Sequence, residues 1–110
     1  MKNLISDNIL TVFFDKIAYN ENFFVKKNNF LNKKNDWIII FNISFLDLIY
    51  SELIILNKKI KNFNKTLIIV CNDFEDSSKF DQFKIAPTLV EAKDLIQFDR
   101  IERDIYKLWN

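Results

Sequence analysis

The residues best suited to chemistry follow one apolar segment in the second half of the chain. Cys71 ends this segment, and an acidic group comes soon after it: Asp73, Glu75, Asp76 and Asp81. A cysteine nucleophile needs a base that forms its thiolate, and the chain has no histidine, so we assign Cys71 a structural role. Carboxylates bind Mg²⁺ or Ca²⁺, but their spacing here matches no calcium loop and favours a solvated acidic loop. We therefore predict no catalytic residue, no cofactor and no metal ligand.

Two residue types are missing altogether, histidine and glycine. Without histidine the commonest general base is excluded, and without glycine no Gly-rich phosphate-binding loop can form. Asn, Lys, Ile and Phe are abundant whereas Gly, Pro, Ala and Arg are scarce, which indicates an AT-rich genome. Asparagine tolerates positive φ better than most residues, so we expect it to replace glycine in turns. The candidates are Asn28-Asn29, Asn62 and Asn72.

The charges are balanced, since 16 Lys and Arg against 15 Asp and Glu give a net charge of +1. The isoelectric point is about 7.8, below the range typical of nucleic-acid-binding domains, so we expect no direct nucleic-acid partner. The N-terminus lacks the apolar core of a secretion signal, and polar residues interrupt every apolar stretch before it reaches the length of a membrane span. With a single cysteine and 110 residues, the chain is expected to be one cytoplasmic domain that contacts no membrane.

Apolar runs predict the strands of an α/β domain. Five runs are short and rich in β-branched and aromatic residues: residues 4–5, 9–14, 36–41, 66–71 and 83–86. The first two are separated by Ser6-Asp7-Asn8, a turn-forming tripeptide that predicts a β-hairpin. The third and fourth are apolar on both faces, as expected of strands that are covered on each side.

Helices are predicted between and after these strands, where apolar residues recur every three or four positions: residues 17–34, 46–63 and from 87 to the C-terminus. Asn64 lies where the second helix should end. A helix that joins two buried strands makes a right-handed crossover between parallel strands. The sheet is therefore expected to be mixed and mainly parallel, with helices packed on it.

The last helix carries both arginines of the chain. Thr88 and Glu91 have the spacing of a capping box at its start. An apolar stripe continues to the C-terminus: Leu89, Ala92, Leu95, Ile96, Phe98, Ile101, Ile105 and Leu108. On the polar side, Asp99 and Arg103 are one turn apart and are expected to form an ion pair. Two interpretations of Arg100 and Arg103 stay open, a contact with a protein partner and a solvated helix face whose charges pair with one another.

Residues 36–70, DWIIIFNISFLDLIYSELIILNKKIKNFNKTLIIV, resemble the central block of the STAS family, the sulfate transporter and anti-sigma factor antagonist domain. In that family a buried strand leads through a loop ending in Asp-Ser-Ser-Gly into an amphipathic helix. Asp47 matches the family's Asp, but Leu48, Ile49 and Tyr50 replace Ser-Ser-Gly. The resemblance implies a STAS-like fold and a non-catalytic protein-binding role that has lost the phosphorylatable serine of the family's switch.

A protein partner is therefore expected at the loop and helix start that contain Ser44, Asp47 and Ser51, with Arg100 and Arg103 as a second contact. The C-terminal segment 85–104, IAPTLVEAKDLIQFDRIERD, is similar to the ending of short STAS-like proteins of Bacteroidetes, which tend to be encoded beside ribonuclease Z. That enzyme binds paired zinc ions through a histidine-rich motif, which this chain cannot form. The alternative function is an accessory or regulatory protein of an RNA-processing nuclease, not itself catalytic.

Overall fold

The computed structural model of the protein describes residues 2–13, 34–40, 46–71 and 82–109. These ranges form a mixed α/β fold with a five-stranded sheet in the order β1-β2-β3-β4-β5. The elements are β1 Lys2–Ser6, β2 Ile9–Phe13, β3 Asp36–Ile40, α1 Leu46–Asn62, β4 Leu67–Val70, β5 Lys84–Ala86 and α2 Leu89–Trp109. β1 pairs antiparallel with β2, and the other three pairings are parallel. The helix predicted for residues 17–34 falls almost entirely outside the described residues.

The β1–β2 hairpin closes through a two-residue turn. Ser6 pairs with Ile9, and both intervening residues have positive φ, 55° at Asp7 and 58° at Asn8. This is the type I′ geometry, which matches the twist of the flanking strands and favours Asn, Asp and Gly. The predicted hairpin is therefore confirmed, and Asn8 takes a position that glycine often occupies.

The C-terminus of α1 contains the other described residue with positive φ, Asn64 at 61°. The Lys65 N–H donates to the Ile60 carbonyl (3.0 Å), and the Asn64 N–H donates to the Lys61 carbonyl (2.8 Å). These two bonds define a Schellman motif with Asn64 at the left-handed position. The prediction that this helix ends at Asn64 is confirmed. The prediction of positive φ for Asn62 is wrong because Asn62 is still helical, and Asn28-Asn29 and Asn72 lie outside the described residues.

The core has one layer on each face of the sheet, as the continuous apolar runs of β3 and β4 predicted. On one face, α1 packs Leu53, Leu56 and Ile60 against alternate residues of β2, β3 and β4. On the other face, α2 contributes Ala92 and Ile96 to a smaller cluster. At the start of α2, the Thr88 hydroxyl accepts a hydrogen bond from the Glu91 N–H (3.2 Å), which is the threonine half of the predicted capping box.

The apolar stripe of α2 is divided by this packing. Its N-terminal part supplies the fully buried Ala92 and Ile96, whereas the large apolar side chains that follow are exposed. The sequence prediction treated the stripe as one continuous apolar face. The difference matters for function, because the C-terminal half of α2 is held to the sheet by polar contacts instead.

Candidate functional site

The carboxylate of Asp36, the first residue of β3, accepts four hydrogen bonds. It is 0% exposed. Its Oδ1 accepts hydrogen bonds from the Thr66 N–H (2.8 Å) and from Arg103 Nη1 (3.2 Å). Its Oδ2 accepts from Arg100 Nε (2.9 Å) and Arg103 Nη2 (3.3 Å). We call Asp36, Arg100 and Arg103 the Asp36 cluster; it compensates a buried charge that would otherwise be strongly unfavourable.

The two arginines use other donors to bind backbone carbonyls at the same end of the sheet. Arg100 Nη2 donates to the carbonyls of Asp7 (2.9 Å) and Asn8 (3.1 Å) in the hairpin turn. Arg103 Nη1 donates to the carbonyl of Asn64, which follows the end of α1. The Asp36 cluster therefore ties α2 to the hairpin turn, to β3 and to the end of α1.

The ion pair expected within α2 between Asp99 and Arg103 is replaced by contacts to the sheet. Arg103 is bound to Asp36, and Asp99 accepts hydrogen bonds from Lys84 Nζ (2.6 Å) and the Thr66 hydroxyl (3.0 Å). Arg103 donates to both oxygens of the fully buried Asp36 carboxylate, a charge that would be strongly unfavourable without a cationic partner, whereas the Asp99 carboxylate already has Lys84 and Thr66 as donors. The charged side of α2 is thus neither fully solvated nor paired with itself.

Both candidate arginines therefore have intramolecular roles. Their side chains are 22% exposed at Arg100 and 18% at Arg103, and each donates several hydrogen bonds within the fold. Both line an open cleft beside Asn64, Lys65 and Lys107, but their donors are largely occupied by Asp36 and the carbonyls. Their predicted contact with a partner stays a prediction, limited to the small exposed part of each side chain.

The candidates near the start of α1 are only partly described. Ser44 lies outside the described residues. Asp47 is in the first turn of α1 and Ser51 is one turn later, and the Ser51 side chain is exposed. The prediction that these residues contact a partner therefore stays a prediction.

The cysteine and the acidic group are separated by the limits of the described structure. Cys71 directly follows β4, is buried, and belongs to the core layer beneath α1, in agreement with a structural role. Asp73, Glu75, Asp76 and Asp81 lie outside the described residues. Among the residues that the structure describes, no group of three or more acidic or cysteine side chains is arranged to hold a metal ion.

The outward side of α2 carries a row of apolar side chains that sequence analysis expected to form part of one continuous stripe. Phe98, Ile101, Ile105 and Leu108 are 63%, 58%, 50% and 85% exposed. Their spacings of three, four and three place them along one side of the helix. We call these four residues the outward stripe. A single exposed apolar residue needs no explanation, but a continuous row is typical of an interaction surface.

The basic residues of α2 and two of its acidic residues, Glu102 and Asp104, lie on different sides of the helix. At 100° per residue, its four basic residues fall on the half that faces the sheet: Lys93, Arg100, Arg103 and Lys107. Glu102 and Asp104, both exposed, lie on opposite flanks of the outward stripe. Asp94 lies in line with the stripe, one turn before Phe98. The outward stripe is thus flanked by acidic side chains, and the basic residues lie farther round the helix, where Lys107 lines one cleft with Asp104 and another with Glu102.

Comparisons of the chain with protein-family models, with curated proteins and with solved structures gave no significant match. Within the described ranges, α1 and α2 both lack the combination of length and apolar character that a bilayer-spanning helix needs.

Proposed function

We propose that the protein is a non-catalytic, STAS-like interaction domain that binds another protein through the outward stripe of α2. The STAS-like assignment is supported by the resemblance of residues 36–70 and by the element order of the described chain. An antiparallel hairpin comes first, and a helix then connects two parallel strands, β3 and β4. Such domains act by docking, and no catalytic constellation is needed for that role.

The observation that carries the proposal is the exposure of the outward stripe. Phe98 and Leu108 alone leave most of their side chains in water, which is unfavourable by about 25 cal/mol for each Å² of apolar surface. Burial against a partner would recover this free energy. A row of apolar anchors at three- and four-residue spacing is the surface that a helix offers to a groove or to another helix.

The proposed binding is not switched in the way the STAS resemblance would imply. Leu48 and Ile49 follow Asp47, and neither side chain has a hydroxyl that can accept phosphate. We therefore expect partner binding without phosphorylation at these positions. The surface around Ser44, Asp47 and Ser51 is retained as a second proposed contact.

The test replaces exposed apolar side chains by a polar residue that also favours helix. In a tagged protein expressed in its native cell, Phe98→Gln combined with Ile105→Gln should abolish co-purification of a specific partner. The matched control is Ile55→Gln, because Ile55 is 52% exposed on α1, on the opposite face of the sheet. Circular dichroism and thermal unfolding check that all variants remain folded.

Retention of the partner by the folded double variant would contradict the proposed surface, as would equal loss in the Ile55→Gln control. Recovery of no partner with the wild-type protein would contradict the proposed function. The accessory role beside an RNA-processing nuclease makes a distinct prediction, since the recovered partner would then be that nuclease.

A further inference from the structure

We infer that the partner bound at the outward stripe is an amphipathic helix of another protein whose apolar side is flanked by lysine or arginine. This inference rests on the proposed function and adds the chemistry of the partner. Three features of α2 support it: the spacing of its exposed apolar residues, the acidic side chains on both flanks, and the position of its basic residues.

The spacing of the outward stripe fits a helical partner. Phe98, Ile101, Ile105 and Leu108 follow the 3-4-3 pattern by which helices pack side by side. The segment from Phe98 to Leu108 is about 15 Å long at 1.5 Å per residue. A partner helix of about three turns would cover it, and its own apolar residues would lie between those of α2.

The flanking charges favour a basic partner. Glu102 lies on one flank of the stripe and Asp104 on the other, and both are exposed. A helix laid along the stripe places its own flanking residues against these carboxylates, at positions that select partners in paired helices by their charge. Lysine or arginine there would be attracted on both sides, whereas glutamate or aspartate would be repelled.

Helix α2 of a second copy does not supply this complement. Arg100 and Arg103 are turned toward Asp36, and Lys93 and Lys107 also fall on the sheet-facing half of α2. In a parallel or an antiparallel pair of α2 helices, Glu102 and Asp104 would therefore meet acidic or uncharged neighbours. An anionic lipid surface fits no better, because helices that lie on such membranes carry basic flanks.

The test uses two fluorescein-labelled synthetic peptides of about 15 residues. Both have leucines at the 3-4-3 spacing; one has lysine at the flanking positions and the other has glutamate. Fluorescence anisotropy measures their affinity for the full chain. We expect the lysine peptide to bind about tenfold more tightly, because several flanking contacts change from attraction to repulsion. Raising the salt concentration should reduce this preference.

Charge reversal on the protein gives the reciprocal measurement. Glu102→Lys combined with Asp104→Lys should invert the preference, so that the glutamate peptide binds more tightly. Glu52→Lys on α1, which changes the net charge by half as much, is the control for added positive charge away from the stripe and should leave the order unchanged. Equal affinities for the two peptides, an unchanged preference after charge reversal, or no binding of either peptide at millimolar concentration would each overturn the inference.

The double variant Phe98→Gln/Ile105→Gln separates this inference from the proposed function. If both peptides bind equally and the double variant loses both, the docking surface stands and the basic partner is refuted. If the double variant binds both peptides as the wild type does, the docking surface is refuted as well. Sedimentation that shows a dimer of the wild type but not of the double variant would assign the stripe to a second copy. Stripe-dependent binding to phosphatidylserine vesicles would assign it to lipid.

Discussion

Replacement of Asp36 by asparagine should destabilise the protein strongly, because the change removes a buried charge that two arginines contact. The carboxylate is 0% exposed and accepts three hydrogen bonds from guanidinium groups and one from a backbone N–H. Asparagine keeps the shape and one carbonyl acceptor, but its amide nitrogen would face a guanidinium donor. Removing one partner of a buried ion pair costs about 3–5 kcal/mol.

The lower end of that range applies here. Arg100 and Arg103 retain 22% and 18% of their side-chain exposure, so water can partly solvate them once the carboxylate is gone. We therefore expect a loss of about 3 kcal/mol from a total stability of about 5–15 kcal/mol. For a chain of 110 residues, this corresponds to a fall in the melting temperature of roughly 12 °C.

Urea unfolding followed by circular dichroism measures this difference in the free energy of unfolding. The comparison requires that this free energy falls with urea concentration at the same slope in the wild type and the variant. Asp99→Asn is the matched control. Its carboxylate is 15% exposed and pairs with Lys84, which is 55% exposed, so its loss should cost about 1 kcal/mol or less. The reasoning would be refuted if Asp36→Asn lowered the free energy of unfolding by less than about 1 kcal/mol, or by no more than Asp99→Asn does.

Four further predictions concern single positions. Asn64→Ala should lower the free energy of unfolding by about 1 kcal/mol, because alanine is unfavourable at positive φ. Asn64→Gly should be neutral or slightly stabilising, and equal effects of the two substitutions in urea unfolding would contradict the left-handed cap. Asn8→Gly should stabilise the hairpin turn by a few tenths of a kcal/mol, measured in the same way, and a loss of stability would count against the type I′ turn. Thr88→Ala should cost about 1 kcal/mol by removing the N-cap of α2, with Thr88→Ser as the near-neutral control in thermal unfolding. The thiol of Cys71, only 5% exposed, should react with a thiol reagent at the rate at which the fold opens, and rapid labelling of the native protein would contradict its burial.

The sheet and α1 could be predicted from the sequence because their signals are local. The apolar runs of β3 and β4 have no polar interruption, and the turn residues Asp7-Asn8 and Asn64 lie directly beside the elements they end. The Asp36 cluster has no such signal, since it joins residues 64 and 67 positions apart. A weak indication did exist, because an acidic residue that begins a fully buried strand needs a cationic partner, and the chain has only two arginines.

The exposure of the outward stripe was missed because the apolar residues of α2 were treated as one stripe. At 100° per residue, Ala92 and Ile96 fall on the side that faces the sheet, and the step of two residues from Ile96 to Phe98 moves the apolar pattern to the opposite side. α2 has 21 residues and is about 31 Å long at 1.5 Å per residue. The longest strands have five residues and span about 17 Å. A helix of that length extends beyond such strands, so its C-terminal half has less of the sheet to pack against than its N-terminal half.

The Asp36 cluster and the outward stripe occupy opposite sides of the same segment of α2. The polar contacts of the cluster attach this segment to the sheet, so the apolar residues on the other side are not needed for attachment. A helix that extends past its core would normally turn its apolar residues inward to hold itself in place. Here Arg100 and Arg103 supply that attachment through hydrogen bonds to Asp36 and to the carbonyls of Asn8 and Asn64. Because charge holds the inner side, the outer side is available for apolar residues that stay at least half exposed. In this division both arginines face the sheet, while Glu102 and Asp104 border the surface proposed to bind a basic partner.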